Sequence, residues 1–306
     1  IVSSQVMHPV RRTAVFRADE IDRLSDTLAV YHFPKNIAGV TRFRIRGPRG
    51  TVVRLKHGEM LYADGRVNLR NIDYHYRPTD DRDPFQTDIV TLSGGDDEFA
   101  ARFGYKGFQY VEVSSSVPLE LTAESLVAEE MHSDVPRTGY WHSSSEYLNK
   151  LLAATENSYL SNLFGYPTDC PQREKNGWTA DAYLALETGM AYYDVVTIYE
   201  KWMADFRDEQ RPDGTLPCIV PTDKWGYDWA NGVDWTSAAV IIPWQIYCWY
   251  GDRQILERHY DCMDRYVRHI ETVAKENLTD WGLGDWIPVK TKSDLCYTTS
   301  VYYYVD

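Results

Sequence analysis

Three things are scarce in this chain of 306 residues. Although 43% of it is hydrophobic, no apolar run approaches the ~20 residues of a membrane-spanning helix. Positive charge is outweighed: 32 Lys and Arg face 45 Asp and Glu, a net charge of −13, with no basic block. That balance argues against nucleic acid or an anionic membrane as partner. Cysteine is sparse, and Cys170, Cys218, Cys248, Cys262 and Cys296 are odd in number and far apart. Such spacing fits neither a zinc site nor a disulfide framework, so they read as mostly buried thiols. No cluster has metal-ligand spacing, and no cofactor is expected. The opening Ile1-Val2-Ser3-Ser4 has neither a charged leader nor an initiator Met, so a chain processed or cut from a longer one is expected. The compartment stays open between cytoplasm and periplasm.

Aromatic residues are abundant instead, at 14%, with 10 Trp and 23 Tyr. From residue 1 to about 117 the polarity alternates. Thr41 to Arg46 and Val53 to Lys56 have period two, further short runs lie at 28–33, 89–92 and 110–113, and turns are marked at Gly47-Pro48, Gly58 and Asp64-Gly65. An antiparallel β-sandwich is predicted there, with its alternating Arg and Lys on a solvated face. Arg77 to Pro84 reads as a surface loop. Residues 118–142 read as a linker, and from 143 to 306 the period is helical. Ser143 with Glu146 forms a candidate capping box, followed by a stripe from Leu148 to Leu163. Helices are predicted at about 178–190, 194–210 and 237–250. Another starts at Asp252, with His259 on its buried stripe. Trp225, Trp229, Trp235, Trp281 and Trp286 fall in the aperiodic gaps. That rhythm is the one expected of a toroid of helical hairpins with a site at its loop ends.

The densest chemistry lies in Asp169-Cys-Pro-Gln-Arg-Glu-Lys-Asn-Gly-Trp-Thr-Ala-Asp181. Pro171 and Gly177 predict an irregular loop leading into a helix near Trp178. Asp169, Glu174 and Asp181 would converge above that helix start. Crowded carboxylates raise one another's pKa, which suits a general acid. Arg173 and Trp178 add a hydroxyl clamp and a flat apolar face, the groups that grip a sugar ring. The bland alternative is a solvated acidic loop with a structural Arg–Asp pair; the loop-borne tryptophans weigh against it.

This motif closely resembles the signature of the bacterial α-L-rhamnosidases, inverting glycoside hydrolases of family 78. Gly104-Tyr-Lys-Gly-Phe-Gln-Tyr110 resembles the strand preceding their barrel, and Trp235 to Trp244 resembles their tryptophan-led helix. Gly251-Asp252, Gly284-Asp285-Trp286 and Thr298 to Tyr304 match later landmarks. The resemblance runs from about Val30 onward. It implies β-sandwich domains followed by an (α/α)6 toroid, of which this chain would hold about the first half. It also implies exo-acting release of terminal α-L-rhamnose from a rhamnose-containing glycoside or oligosaccharide.

Carried over residue by residue, Glu174 matches the general acid. Asp169, Arg173 and Asp181 match the residues holding the rhamnose hydroxyls, and Trp178, Trp235 and Trp286 match the pocket walls. The loop is one residue shorter than an Asp-Glu-Arg-Leu form of the family, and Thr236-Ser237 stands where many members have Gly-Asp. Asp234 is then the nearest carboxylate. Inversion needs a separate base ~6.5–9.5 Å from the acid; the resemblance puts it beyond Asp306, so residues 1–306 alone are expected to be inactive. Asp234 and Asp285 read as substrate-positioning or structural groups. Other readings of the same toroid are a polysaccharide lyase or unsaturated uronyl hydrolase, for which a carboxylate trio is a poor fit, and a non-catalytic carbohydrate-binding protein. A homodimer is compatible with all of them, and the residues are silent on oligomeric state.

Overall fold

The computed structural model describes residues 4–73 and 85–306; the loop expected at Arg77 to Pro84 lies outside them. The strands are β1 (Val10–Arg17), β2 (Glu20–Ser25), β3 (Leu28–Arg46), β4 (Val52–Gly58), β5 (Met60–Leu61), β6 (Val67–Asn68), β7 (Thr87–Thr91), β8 (Asp96–Ala100), β9 (Lys106–Ser115) and β10 (Leu126–Ser133). The helices are α1 (Arg70–Asp73), α2 (Glu146–Ser161), α3 (Thr179–Tyr192), α4 (Val196–Glu209), α5 (Val233–Thr236), α6 (Ala238–Tyr250), α7 (Arg253–Val273) and α8 (Leu295–Val305). None among the described residues is long and apolar enough to cross a membrane.

Every named strand pairing is antiparallel, and β3 organises them. The runs at 28–33 and 41–46 are two halves of this one strand of 19 residues. Its first half pairs with β2 and β9, its second with β10 and β8. The register slips between His32 and Ile37, where Pro34 sits, because a residue without an N–H is tolerated at a bulge. Tyr31 and Phe43, from the two halves, share one core with Leu55, Val111 and Leu126, so the sheet folds over on itself as a sandwich.

Two expectations need correction here. The stretch 118–142 is no plain linker, because β10 lies inside it and is sandwiched between β1 and β3. Nor is the face of alternating basic residues wet throughout. Arg44 and Arg46 face solvent, but Arg42 of the same run donates to buried Glu129 at 2.7 Å; outside that run, Arg66 grips buried Glu112 at 2.7 and 3.2 Å. A carboxylate buried this deeply is tolerated because it is paired, and removing its arginine would leave an uncompensated charge.

The helical unit packs around Tyr199, Trp202 and Phe206 of α4, Leu186 of α3, Ile242 and Ile246 of α6, and Tyr266 and Ile270 of α7. Asp252 caps α7, accepting from the Gln254 N–H at 2.9 Å. His259 is fully buried and pushed down to about 3 by desolvation, with Arg207 adding to the effect, so it is a neutral core residue. The capping box at Ser143 does not form. Ser145 is the N-cap of α2 and makes no side-chain capping bond, while Asn149 ties back to the Ser143 backbone instead. The α2 stripe is only half covered: Tyr159 and Leu163 are buried, but Leu148 and Leu151 are exposed. Tyr297 and Tyr304 of α8 are likewise exposed at the other end of the unit.

Candidate active site

The loop from Asp169 to Trp178 folds on its own polar groups. Asp169 exchanges backbone and side-chain bonds with Asn176: its N–H donates to the Asn176 carbonyl at 3.0 Å, and its Oδ1 accepts from the Asn176 N–H at 2.9 Å. The Cys170 thiol donates to Asp169 Oδ2 at 2.7 Å and accepts from the Glu174 N–H at 3.2 Å. Burial, with Asp169 alongside, pushes that thiol up to about 11, so it bonds as an S–H and is no nucleophile. Gly177 then threads against the 218–220 strand-like segment. A Cβ there would sit 1.9 Å from the Val220 carbonyl oxygen, which only glycine avoids. The Val220 N–H donates to the Gly177 carbonyl and the Thr179 N–H to that of Cys218, both at 2.9 Å, and α3 begins.

Beneath the loop lies the sandwich. Lys175, at a left-handed φ of 57°, donates to the Tyr105 carbonyl at 2.7 Å, and its ammonium sits over the Tyr105 and Phe85 rings. Burial, with Lys106 nearby, lowers its pKa to about 8. Tyr105 stacks on Phe164 at 3.8 Å, and Gly107 passes so close that a Cβ would meet Pro171 and Gln172 at 2.9 Å. The first strand landmark of the sequence is therefore the floor of the motif.

The site residues expected from the motif come together. Trp178 Nε1 donates to Glu174 Oε2 at 2.6 Å, and Arg173 Nε lies 3.6 Å from Glu174 Oε1. Asp169 is raised to about 6, by burial first and by the charges of Glu174 and Asp181 among lesser causes. Asp181 opens to solvent at the mouth, yet the walls around it and the Glu174 charge raise its pKa too. Burial, more than crowding, is thus what raises Asp169 and Asp181. Both border a cleft of about 590 Å³ between α2 and α3; Glu174 and the tryptophans are not in its wall.

Trp235 is buried and meets Trp286 edge-on at 6.1 Å, while Trp286 itself is 65% exposed. The Trp235 carbonyl accepts from Thr179 Oγ1 at 2.8 Å, joining this pair to the first turn of α3. Among the described residues, Arg173 Nε and Trp235 Nε1 are buried donors without a hydrogen-bond acceptor. Arg173 Nε still faces Glu174 as an ion pair, whereas Trp235 Nε1 is left for a hydroxyl brought in by a ligand, since buried polar groups are ordinarily satisfied.

Asp234 and Asp285 have structural partners. Asp234 Oδ2 accepts from the Leu283 N–H at 3.1 Å and also from the Gly284 N–H, and Asp285 Oδ2 accepts from the Ser293 N–H and hydroxyl, each at 3.1 Å. Sequence reasoning missed Tyr105, Gly107 and Lys175 as supports of the site. The one available signal was that both stretches carried family-like motifs.

Comparison with known proteins covers nearly the whole chain. Residues 136–306 match the model of the bacterial alpha-L-rhamnosidase 6 hairpin glycosidase domain, and residues 22–132 that of the bacterial alpha-L-rhamnosidase concanavalin-like domain. An alpha-L-rhamnosidase of Streptomyces avermitilis is 30% identical over 306 residues, 99% of this chain and 28% of the relative. The solved alpha-L-rhamnosidase from Dictyoglumus thermophilum superposes with a TM-score of 0.90 at 30% identity, over 99% of this chain and 34% of that one. The Streptomyces avermitilis enzyme complexed with L-rhamnose gives a TM-score of 0.89, also at 30% identity, over 99% and 28%. The chain therefore spans about three tenths of the length of the curated relatives it matches.

Proposed function

We propose a function from the premise that this chain belongs to the bacterial α-L-rhamnosidase family, whose helical-domain model matches more than half of it. The protein is an exo-acting glycoside hydrolase that releases terminal α-L-rhamnose with inversion. The observation that carries this reading is that Asp169, Glu174 and Asp181 lie close enough for their charges to act on one another, with Arg173 Nε paired to Glu174 and the donor-only Trp235 Nε1 left without an acceptor in the cluster that holds Trp178. Three carboxyl groups, a guanidinium and an unspent indole donor suit a polyhydroxylated ring. Trp178, Trp235 and Trp286 offer it apolar faces.

In this scheme Glu174, oriented by Trp178, gives its proton to the glycosidic oxygen as that bond breaks. Water attacks the anomeric carbon from the opposite face and yields its proton to a base. Asp169, Arg173 and Asp181 hold the rhamnose hydroxyls. Asp234 and Asp285 are both engaged by backbone N–H groups, which suits structural roles; the family resemblance places the base outside residues 1–306. These residues alone do not turn over.

Proton NMR of the first sugar released by the full-length protein tests the reading: β-L-rhamnose is expected, and α-L-rhamnose as initial product refutes it. Glu174→Gln should lower kcat by ~10²–10⁴-fold and leave rhamnose binding nearly intact. The loss should shrink on an aryl rhamnoside whose leaving oxygen needs little protonation. Equal loss on good and poor leaving groups would move the acid role to Asp181. Comparable specific activity from residues 1–306 would put the base inside them.

A further inference from the structure

Beyond the groups assigned to rhamnose, one row of rings leads away from the acid. It starts at Trp178, whose indole N–H holds Glu174 Oε2. Trp225 meets Trp178 edge-on at 5.9 Å, and Trp229 follows at 5.7 Å with its plane tilted by 38°. Trp225 is 38% exposed and Trp229 68%. Exposed indoles forgo the stabilisation of burial, so the packing within residues 1–306 does not call for them there.

The backbone beneath them, by contrast, is held hard. Thr222 Oγ1 donates to the Trp225 carbonyl at 2.5 Å, the Cys218 N–H to that of Gly226 at 2.9 Å, and Asn231 Nδ2 to that of Tyr227 at 2.9 Å. The Tyr227 hydroxyl reaches the Glu209 carbonyl at 2.6 Å, while Arg211 covers the Tyr227 ring at 3.9 Å. Lys224 and Ala230, on either side of the two tryptophans, take left-handed φ values of 69° and 53°. Non-glycine residues adopt that conformation at a cost, and such strain gathers where a surface is being presented. Two rings are thus fixed in place and left uncovered.

Their position says what they would meet. A general acid faces the glycosidic oxygen, so the departing group lies on the acid's side of the scissile bond. We propose that Trp225 and Trp229 form a leaving-group subsite, a platform that stacks on the apolar face of the ring to which rhamnose is attached. The exposed Arg211–Asp228 pair on the same loop stands at the rim, where it can meet hydroxyls at the edge of that ring. The proposal rests on the reading of Glu174 as acid. The ring can be a pyranose, through its CH face, or a planar aromatic aglycone; the chemistry of recognition is shared.

The test uses the full-length protein and three substrates: α-L-rhamnosyl fluoride, whose leaving group is too small to reach the platform, an aryl α-L-rhamnoside, and a rhamnosyl-glucose disaccharide. Trp229→Ala should lower the ratio of kcat/KM on the disaccharide to that on the fluoride by roughly tenfold, the size of one good ring stack. Trp225→Ala should do the same, and Trp229→Phe should restore much of it. A drop on the disaccharide alone identifies a sugar ring as the occupant, and a drop on the aryl rhamnoside alone identifies an aromatic aglycone. If all three substrates suffer equally, the rings belong to the rhamnose pocket and the proposal is wrong. If none suffers in Trp229→Ala, whose exposed ring can be removed without disturbing the core, it is wrong as well. A wild-type protein that cleaves none of them overturns the functional reading itself.

Discussion

The two loops that bring aromatic and acidic groups to this site are anchored in opposite ways. The Asp169–Trp178 loop is stitched internally by Asp169, Cys170 and Asn176, pressed onto the sandwich by Lys175 and Gly107, and bridged to residues 218–220 beyond it. The loop that carries Trp286 has far less support. Its approach is pinned by buried Asp234, through the N–H groups of Leu283 and Gly284, and its far side by Asp285 and Ser293. Between those pins Trp286, Ile287 and Val289 are largely exposed. The lesson is one of tolerance: a proton donor must be placed within fractions of an ångström, whereas a stacking wall works over a broader range of positions.

That contrast can be broken from either side. The largest effect is expected from Gly107→Val. Its side chain would strike Pro171 and Gln172 and push the loop carrying Glu174 off the sandwich. Misplacing a catalytic group by about 1 Å costs ~10²-fold, so kcat should fall by about that factor while a melting curve still shows a folded protein. An unchanged kcat would mean that the loop finds its place without this floor.

Asp234→Ala attacks the other loop. It leaves the Leu283 and Gly284 N–H groups without their acceptor, at a cost of roughly 1–3 kcal/mol for each buried orphan. The melting temperature should drop, and KM should rise several-fold with kcat little changed, because Trp286 loses its footing and Glu174 does not. Loss of kcat alone would show that the two loops are not independent.

The smallest effect sharpens the comparison through pH. Asp169 ionises near 6 in the folded protein against about 3.9 in an unfolded chain. Between those values the folded state keeps a proton that the unfolded state has released, so stability falls as pH rises from about 4 to 6 and levels off above. Asp169→Asn cannot ionise and lacks this slope. Relative to wild type, its melting temperature should gain a few degrees between pH 4 and pH 7. Parallel curves would mean that Asp169 is less confined than its neighbours imply.

What could be read in the sequence, and what could not, divides by distance along the chain. The candidate site was legible because Asp169, Arg173, Glu174, Trp178 and Asp181 lie within one short stretch, and local turn chemistry brings them together. Helices α3, α4, α6 and α7 were legible from apolar period. β8 was not, because Asp96-Asp97-Glu98 has poor strand propensity; Glu98 is recruited by Arg42 and Arg44 of β3, more than fifty residues away. β10 escaped for a similar reason, since Glu129 and Glu130 look like loop residues until Arg42 and Lys35 are placed against them. The Lys175–Tyr105 contact joins residues 70 apart in sequence, which no local pattern announces.

That contact has a consequence for anyone recombining such proteins. The boundary between the two family models falls at residues 132–136, and it invites the view that sandwich and helical unit are interchangeable modules. Yet the seat of Glu174 is shared property: Tyr105 and Gly107 are inherited with one module and Lys175 with the other. A chimera that imports a foreign sandwich with a bulkier residue at 107 would keep every helix and lose the alignment of Glu174, the proposed proton donor. The heritable unit of this chemistry is the pair of surfaces, and drift on the strand has to be matched by drift on the loop.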